Sequence, residues 1–331
     1  MTGLTEARRS SSTSDHALDD LEQHRRELTG FCYRMLGSAF DAEDAVQETL
    51  VRAWKGFDKF EGRASLRSWL YRIATNVCLT MLEQSGRRAV PMDFGTASEP
   101  VMASLGEPRP ESTWVTPVPD ERIELQGSDP AEVAVARESV RLAFVAALQH
   151  LPPRQRAVLI LREVLRWKAD EVAELLGTST ASVNSALQRA RATMAADDVA
   201  SRRLDPLDQE HAALLAGYVD AFERYDMDLL VTLLHQDVIQ NMPPFALWLR
   251  GPADVVRWML GPGSECRGSR LLPVQVNGGP GLAQYRPSGR GGRHEPWALH
   301  AIEIADARIV GVSSFLDTRL FELFGLPAHI H

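Results

Sequence analysis

Residues 151–194 read LPPRQRAVLILREVLRWKADEVAELLGTSTASVNSALQRARATM, and the stretch predicts three short helices, the last shaped to enter a DNA groove. Pro152 and Pro153 suit a first helical turn, where a missing N–H deprives no partner. Val158, Leu159, Leu161, Val164 and Leu165 then recur at helical period. From Trp167 to Leu176 the pattern repeats, with Val172, Ala173, Leu175 and Leu176 on one side and Asp170, Glu171 and Glu174 on the other. Gly177 supplies a left-handed stop. The tetrad Gly177-Thr178-Ser179-Thr180 has the length of a helix-turn-helix turn, with Ser179 or Thr180 as the next N-cap.

In the last helix Val183, Leu187, Ala190 and Met194 make an inward stripe. Ser182, Asn184, Ser185, Gln188, Arg189 and Arg191 are left outward. Small polar groups early in a helix suit base edges, and later arginines suit phosphates. An ordinary αα-hairpin with a solvated face fits the same spacing. What separates the two is a resemblance: Glu171-Val172-Ala173, Gly177 and Ser182 to Arg191 look like region four of sigma-70-type RNA polymerase sigma factors. That family usually has a basic residue at the position of Asn184, an arginine at Ala186 and a serine cap at Lys168. Fewer cations imply fewer phosphate contacts and a shallower salt dependence. Asn184 retains the donor–acceptor pair that reads adenine.

A chain of 331 residues has room for two or three domains. With 44% hydrophobic and 24% charged residues it has the composition of a folded soluble protein, not of a disordered one. No apolar run reaches membrane length and no leader pattern stands at Met1, so a cytoplasmic location without membrane contact is expected. Cys32, Cys78 and Cys266 are odd in number and far apart, which suggests neither a disulfide framework nor a zinc site. No cofactor or metal is expected. The net charge of −8 appears wrong for a DNA-binding chain until it is mapped. From Ala89 to Ala134 about nine carboxylates face only Arg109 and Arg122, so one segment carries most of the imbalance.

In chain order, residues 1–17 are Ser/Thr-rich and read as a disordered tail. Residues 18–86 form a helical module. Its first helix turns Leu21, Leu28, Phe31, Cys32, Met35 and Leu36 inward and ends at Gly37. Asp41 is the expected cap of the second helix, whose apolar side includes Ala45, Val46, Leu50 and Trp54 and whose polar side is Asp44, Gln47, Glu48 and Arg52. A loop from Phe57 to Ala64 precedes a helix from Leu66 to Leu82 with Trp69, Leu70, Ile73, Ala74 and Val77 inward. Lys59, Phe60, Arg63, Arg67, Tyr71, Arg72 and Asn76 make an arginine-and-aromatic surface suited to an unpaired strand.

Asp41 to Glu48 and Phe60 to Asn76 closely resemble region two of the extracytoplasmic-function (ECF) subfamily of sigma factors. The resemblance implies that the Asp44, Gln47, Glu48 and Arg52 face docks on the β′ clamp helices of core RNA polymerase. It implies further that region four meets the β flap and that the loop and following helix melt and hold promoter DNA. Residues 87–131, with seven prolines and few periodic apolar residues, read as an acidic linker. The resemblance leads it close to the polymerase active site; a merely solubilising role is the other reading. Residues 132–203 complete the region-four module, with Glu132 to His150 as its first helix.

Residues 204–331 change character. Helices are expected at Gln209 to Tyr225, Met227 to Leu234 and Ala253 to Leu260. Strands are expected at Val238 to Met242, Leu247 to Arg250, Arg270 to Val276, Leu282 to Arg286, Trp297 to Glu303 and Arg308 to Leu316. Turns such as Asn277-Gly278-Gly279 and Asp306-Ala307 join them. Helices followed by strands argue α+β, and the order resembles the SnoaL-like, ketosteroid-isomerase-like cone. Asn277 to Arg286 is similar to a segment of those ECF sigma factors that carry such a cone. The fold expected is therefore multidomain: two all-α sigma modules, then an α+β cone.

A cone encloses a pocket, for which Asp220, Met242, Trp248, Trp258, Tyr285 and His300 are candidate lining residues. An isomerase or cyclase of this fold needs a carboxylate base beside an oxyanion donor, and none of Asp220, His235, Asp237, Tyr285 or His300 sits in a catalytic motif. The expectation is a sigma factor with no catalytic residues, partnered by core RNA polymerase and promoter DNA, with a small-molecule ligand of the cone as a further candidate. A stand-alone helix-turn-helix regulator and an enzyme using the cone pocket are the alternatives.

Overall fold

The computed structural model describes residues 19–60, 62, 65–123, 125, 130–195, 209–288 and 292–331; the predicted tail and the segment around Arg203 lie outside them. The chain divides into two units: Met1–Arg87 with Glu121–Ala200, and Arg88–Asp120 with Ser201–His331. The stretch read as one free linker is thus split, its larger part belonging to the cone. No helix among the described residues is long and apolar enough to cross a membrane.

In the first unit α1 (Arg25–Leu36), α2 (Ala39–Gly56) and α3 (Leu66–Gln84) form the region-two bundle. Leu28, Phe31, Val46, Leu70 and Ala74 are buried between them, at the helical spacing expected. Gly37 ends α1 at φ +70, the left-handed conformation that favours glycine, and a Cβ there would stand 2.9 Å from the end of the Gln149 side chain and displace it. The cap of α2 is Ser38, not Asp41: its hydroxyl accepts from the Asp41 N–H. Asp41 sits in the first turn, where its charge favours the helix dipole.

The region-four helices are α4 (Pro130–Glu138), α5 (Leu142–Gln149), α6 (Pro153–Leu159), α7 (Ala169–Leu176) and α8 (Thr180–Ala195). A π turn over Ile160–Val164 prolongs α6. The single helix expected from Glu132 to His150 is broken at Ser139. The cause is Arg34 of α1, whose guanidinium takes the Ser139 carbonyl at 3.2 Å and hydroxyl at 2.8 Å, drawing that carbonyl from the helical ladder. Arg156 of α6 makes the converse link. It is buried and donates to the Met35 carbonyl at the end of α1, and to Gln149 Oε1 at 2.6 Å. Burial pushes both guanidinium groups down to about 10, so they remain cationic at neutral pH.

The second unit opens its cone with α9 (Gln209–Arg224) and α10 (Met227–Leu233), followed by β1 (Leu234–Asn241), β2 (Trp248–Arg250) and α11 (Pro252–Leu260). Then come β3 (Arg270–Val276), β4 (Gly279–Pro287), β5 (His294–Ala305), β6 (Arg308–Phe315) and α12 (Arg319–Leu323). The six strands are ordered β2-β1-β6-β5-β4-β3, with β1 parallel to β6 and the other pairs antiparallel. Phe222, Leu230, Val238, Trp258, Leu282, Ile302 and Val312 share the core between helices and sheet. Asn277 and Gly278 turn β3 into β4 with φ of 54 and 75, the paired left-handed geometry of a tight hairpin; Asp306 and Ala307 do the same between β5 and β6 at 52 each.

The linker residues of this unit lie on the cone. Ser98 N–H donates to the Trp248 carbonyl at 2.8 Å, Trp248 Nε1 to Gly95 O at 3.0 Å, and Arg109 N–H to Pro244 O at 2.8 Å. Farther along, Asn277 N–H donates to Val118 O at 3.1 Å, Val118 N–H to Asn277 Oδ1 at 3.0 Å and Gly278 N–H to Asp120 Oδ1 at 2.7 Å. Trp114, Val115 and Val118 are buried.

Candidate nucleic-acid interface and cone cavity

On α8 the inward stripe is Val183, Leu187 and Ala190, all buried. Ser182, Asn184, Ser185, Gln188, Arg189 and Arg191 are all exposed on the other side of the helix. Ser179 caps the helix by accepting from the Ser182 N–H at 3.2 Å. The Ser185 hydroxyl holds Arg189 at 2.7 Å, and Arg191 pairs with Glu163. Before α7, Lys168 holds the N-cap position without a capping side chain, while Glu171 accepts its N–H at 2.7 Å.

In region two Asp44, Gln47, Glu48 and Arg52 are exposed on α2, with Glu48 and Arg52 paired at 2.6 Å. Trp54 was expected inside; it is 49% exposed, seven residues beyond Gln47 and so on nearly the same side of the helix. Apolar character alone cannot tell a core tryptophan from a docking one.

The predicted strand-holding surface is only partly open. Arg63 lies outside the described residues, and Lys59 is described in its backbone alone. Phe60 stacks on Trp69 with ring centroids 5.0 Å apart, and Asn76 is exposed. Tyr71 is fully buried: its hydroxyl reaches Glu27 Oε2 at 3.3 Å and its ring meets Trp167, the residue before Lys168, at 5.1 Å. Arg67 pairs with Glu27 at 2.7 Å and lies over the Trp167 ring at 5.5 Å, while Arg72 reaches Glu174 of α7 at 3.3 Å. Residues of region four therefore occupy three side chains predicted to meet DNA.

In the cone, a cavity open at its mouth has Met242, Trp258 and His300 among its lining residues. Three expected residues stand elsewhere. Asp220 is exposed and paired with Arg224 at 3.1 Å. Trp248 is occupied with Gly95, and Tyr285 donates to Pro327 O at 2.9 Å and packs on Phe321. Strand alternation explains the last: Leu282 pairs with His300 and Gln284 with Ala298, so the even-numbered residues of β4 face the cavity and Tyr285 does not. Gln240, Gln284, Trp297 and Ser314 are lining residues that reading by residue type missed. Among the described lining residues there is no Asp or Glu.

A Sigma-70 region 2 domain matches residues 21–88, a Sigma-70, region 4 domain residues 141–194 and a SnoaL-like domain residues 215–312. The ECF RNA polymerase sigma factor SigG of Mycobacterium tuberculosis (strain ATCC 25618 / H37Rv) is 48% identical over 310 residues, 92% of this chain and 82% of its own. SigJ of the same strain is 30% identical over 250 residues, covering 74% of this chain and 72% of that one. The crystal structure of M. tuberculosis SigJ superposes with a TM-score of 0.59 at 26% identity, over 93% of this chain and 98% of that chain. At this identity and coverage the chain belongs to the extracytoplasmic-function sigma factors of RNA polymerase.

Proposed function

We propose that the chain binds core RNA polymerase, directs it to a promoter and assists melting, without covalent chemistry of its own. The observation that carries this is α8: an unbroken exposed polar face, small residues first and arginines last, over a buried apolar stripe. In this reading Ser185 and Gln188 read bases of the upstream element and Arg191 serves phosphate once Glu163 releases it. Asp44, Gln47, Glu48 and Arg52 meet the β′ clamp helices, region four meets the β flap, and Phe60, Arg67, Arg72 and Asn76 hold the melted strand. Run-off transcription with reconstituted holoenzyme on promoter variants tests it. Ser185→Ala and Gln188→Ala should each alter base preference at one position, by about 1 to 3 kcal/mol per good contact. Arg191→Ala should weaken every promoter alike, and equal effects from all three would overturn the division of roles.

The same reading gives the free chain a closed state. Arg67 and Arg72 serve Trp167 and Glu174 as long as regions two and four are packed together, so strand capture requires that packing to open. The linker that joins the two regions is held by the cone, and this is the means by which the cone modulates transcription. Deleting residues 205–331 should change promoter output, whereas a truncated chain that matched full length in polymerase binding and transcription would make the cone a passenger.

A further inference from the structure

The cone cavity holds a buried polar chain that the sigma-factor reading does not use. Gln284 Nε2 donates to Ser269 Oγ at 2.9 Å, leaving its Oε1 to accept from His300 Nε2–H at 2.9 Å. A neutral imidazole then has Nδ1 as acceptor, and the Ser314 hydroxyl donates to it at 2.9 Å. His300, Gln284 and Ser314 thus arrive fully engaged and fix one tautomer.

Gln240 differs. It is 9% exposed, lines the same cavity, and its amide has no hydrogen-bond partner among the described residues. An amide on the cavity wall can donate and accept at once, so it offers both roles to a guest. The remaining wall is mainly apolar and aromatic, with Trp258, Trp297 and Phe222 beside Met242. Among the described lining residues there is no Asp, Glu, Lys or Arg. Arg286, stacked on Trp297 at 4.0 Å, is already paired with Glu265 at 2.8 Å. An ion entering such a cavity would lose its hydration with no counter-charge in return.

We propose that the cone cavity binds an uncharged, mainly aromatic small molecule whose one amide-like or comparable donor–acceptor group pairs with Gln240 while its ring lies against Trp258 and Trp297. The site is a property of the cone itself, so its test needs no polymerase, and its failure would leave the promoter-recognition reading untouched.

Four probes of nearly one shape decide the matter on the full chain: naphthalene-2-carboxamide, 2-naphthoate, 2-naphthylmethylammonium and naphthalene. Binding is followed by quenching of tryptophan fluorescence and by calorimetry. The carboxamide should bind at least about tenfold more tightly than either ion, with naphthalene between them. Gln240→Leu should weaken the carboxamide by about tenfold, the worth of one hydrogen bond, and leave naphthalene unchanged. Retained naphthalene binding shows that the variant cone is folded; if Gln240→Leu fails that control, Gln240→Glu serves, and it should weaken the carboxamide and naphthalene while favouring the ammonium. Binding of 2-naphthoate as tight as the carboxamide would overturn the proposal. So would an unchanged carboxamide affinity in both variants, or no binding by any probe at about 1 mM.

Discussion

Replacing Asn277 by glycine removes a side-chain hydrogen bond that fastens the linker to the cone. Asn277 has φ +54, a conformation glycine adopts freely, so Asn277→Gly keeps the β3–β4 turn and removes only the side chain. Its Oδ1 accepts from Val118 N–H at 3.0 Å, and Val118 is buried, so the variant strands a buried donor. Such a donor costs about 1 to 3 kcal/mol, or roughly a five- to 150-fold rise in the population with this end of the linker undocked. Hydrogen exchange followed by mass spectrometry on the full chain reads that population directly. Peptides spanning residues 111–120 should exchange faster by about that factor, while peptides of α9 and β5 keep their wild-type rates. Two results would refute the reasoning: unchanged exchange over 111–120, or equal acceleration across the whole cone, which would mean that the turn and not the linker was damaged.

Trp54→Ala should weaken binding to core polymerase by about 2 kcal/mol if the exposed indole is an anchor of the α2 face; surface plasmon resonance with immobilised core measures it, with circular dichroism as the folding control. Folding stability should fall between pH 6.5 and about 4 by on the order of 3 kcal/mol, because desolvation lowers the pKa of His300 from 6.5 to about 4. The sign follows from the neutral form being native: the contribution is complete above 6.5 and lost as the unfolded chain takes up a proton that the folded one refuses. In His300→Asn this part of the pH dependence should vanish from urea-unfolding midpoints. Ala307→Gly, at φ +52, should raise stability by about 1 kcal/mol in the same assay, since alanine is strained where glycine is not.

What the sequence made legible was what depends on local periodicity. Val183, Leu187 and Ala190 marked the buried side of α8, and alternation located every strand to within a few residues. What stayed hidden depends on partners distant in the chain. Nothing near Ser139 announces a helix break, because Arg34 imposes it from 105 residues away. Trp114, Val115 and Val118 lie in a proline-rich segment with no period of its own, and their burial is decided by the surface they meet. Tyr285 is a polar candidate by residue type, yet the parity fixed by the Leu282 and His300 pairing puts Gln284 in the cavity instead. The Arg67, Tyr71 and Arg72 surface was recognised as a set; that region four would cover it could not be inferred from residues 66–76.

The sheet order gives the linker its mechanical significance. β2 and β3 are the opposite edges of the sheet. The linker binds Trp248 on β2 through Gly95 and Ser98, and reaches the β3 edge where Pro119 bridges Val276. It thereby covers one exposed edge with a proline, which cannot extend the ladder to another strand. More important for function, the attachment is at both edges, with a further contact between them where Arg109 N–H donates to Pro244 O. When one end lets go, the others keep it at high effective concentration, so re-docking is intramolecular and the linker is freed only when all of them fail. Weakening either edge alone therefore loosens part of the linker and leaves the rest docked on the cone. Weakening both acts more than additively, because each docked end had been supplying the proximity that favoured the other. A cone built this way can respond steeply to a perturbation that reaches both edges, and a perturbation confined to one edge produces a partial change.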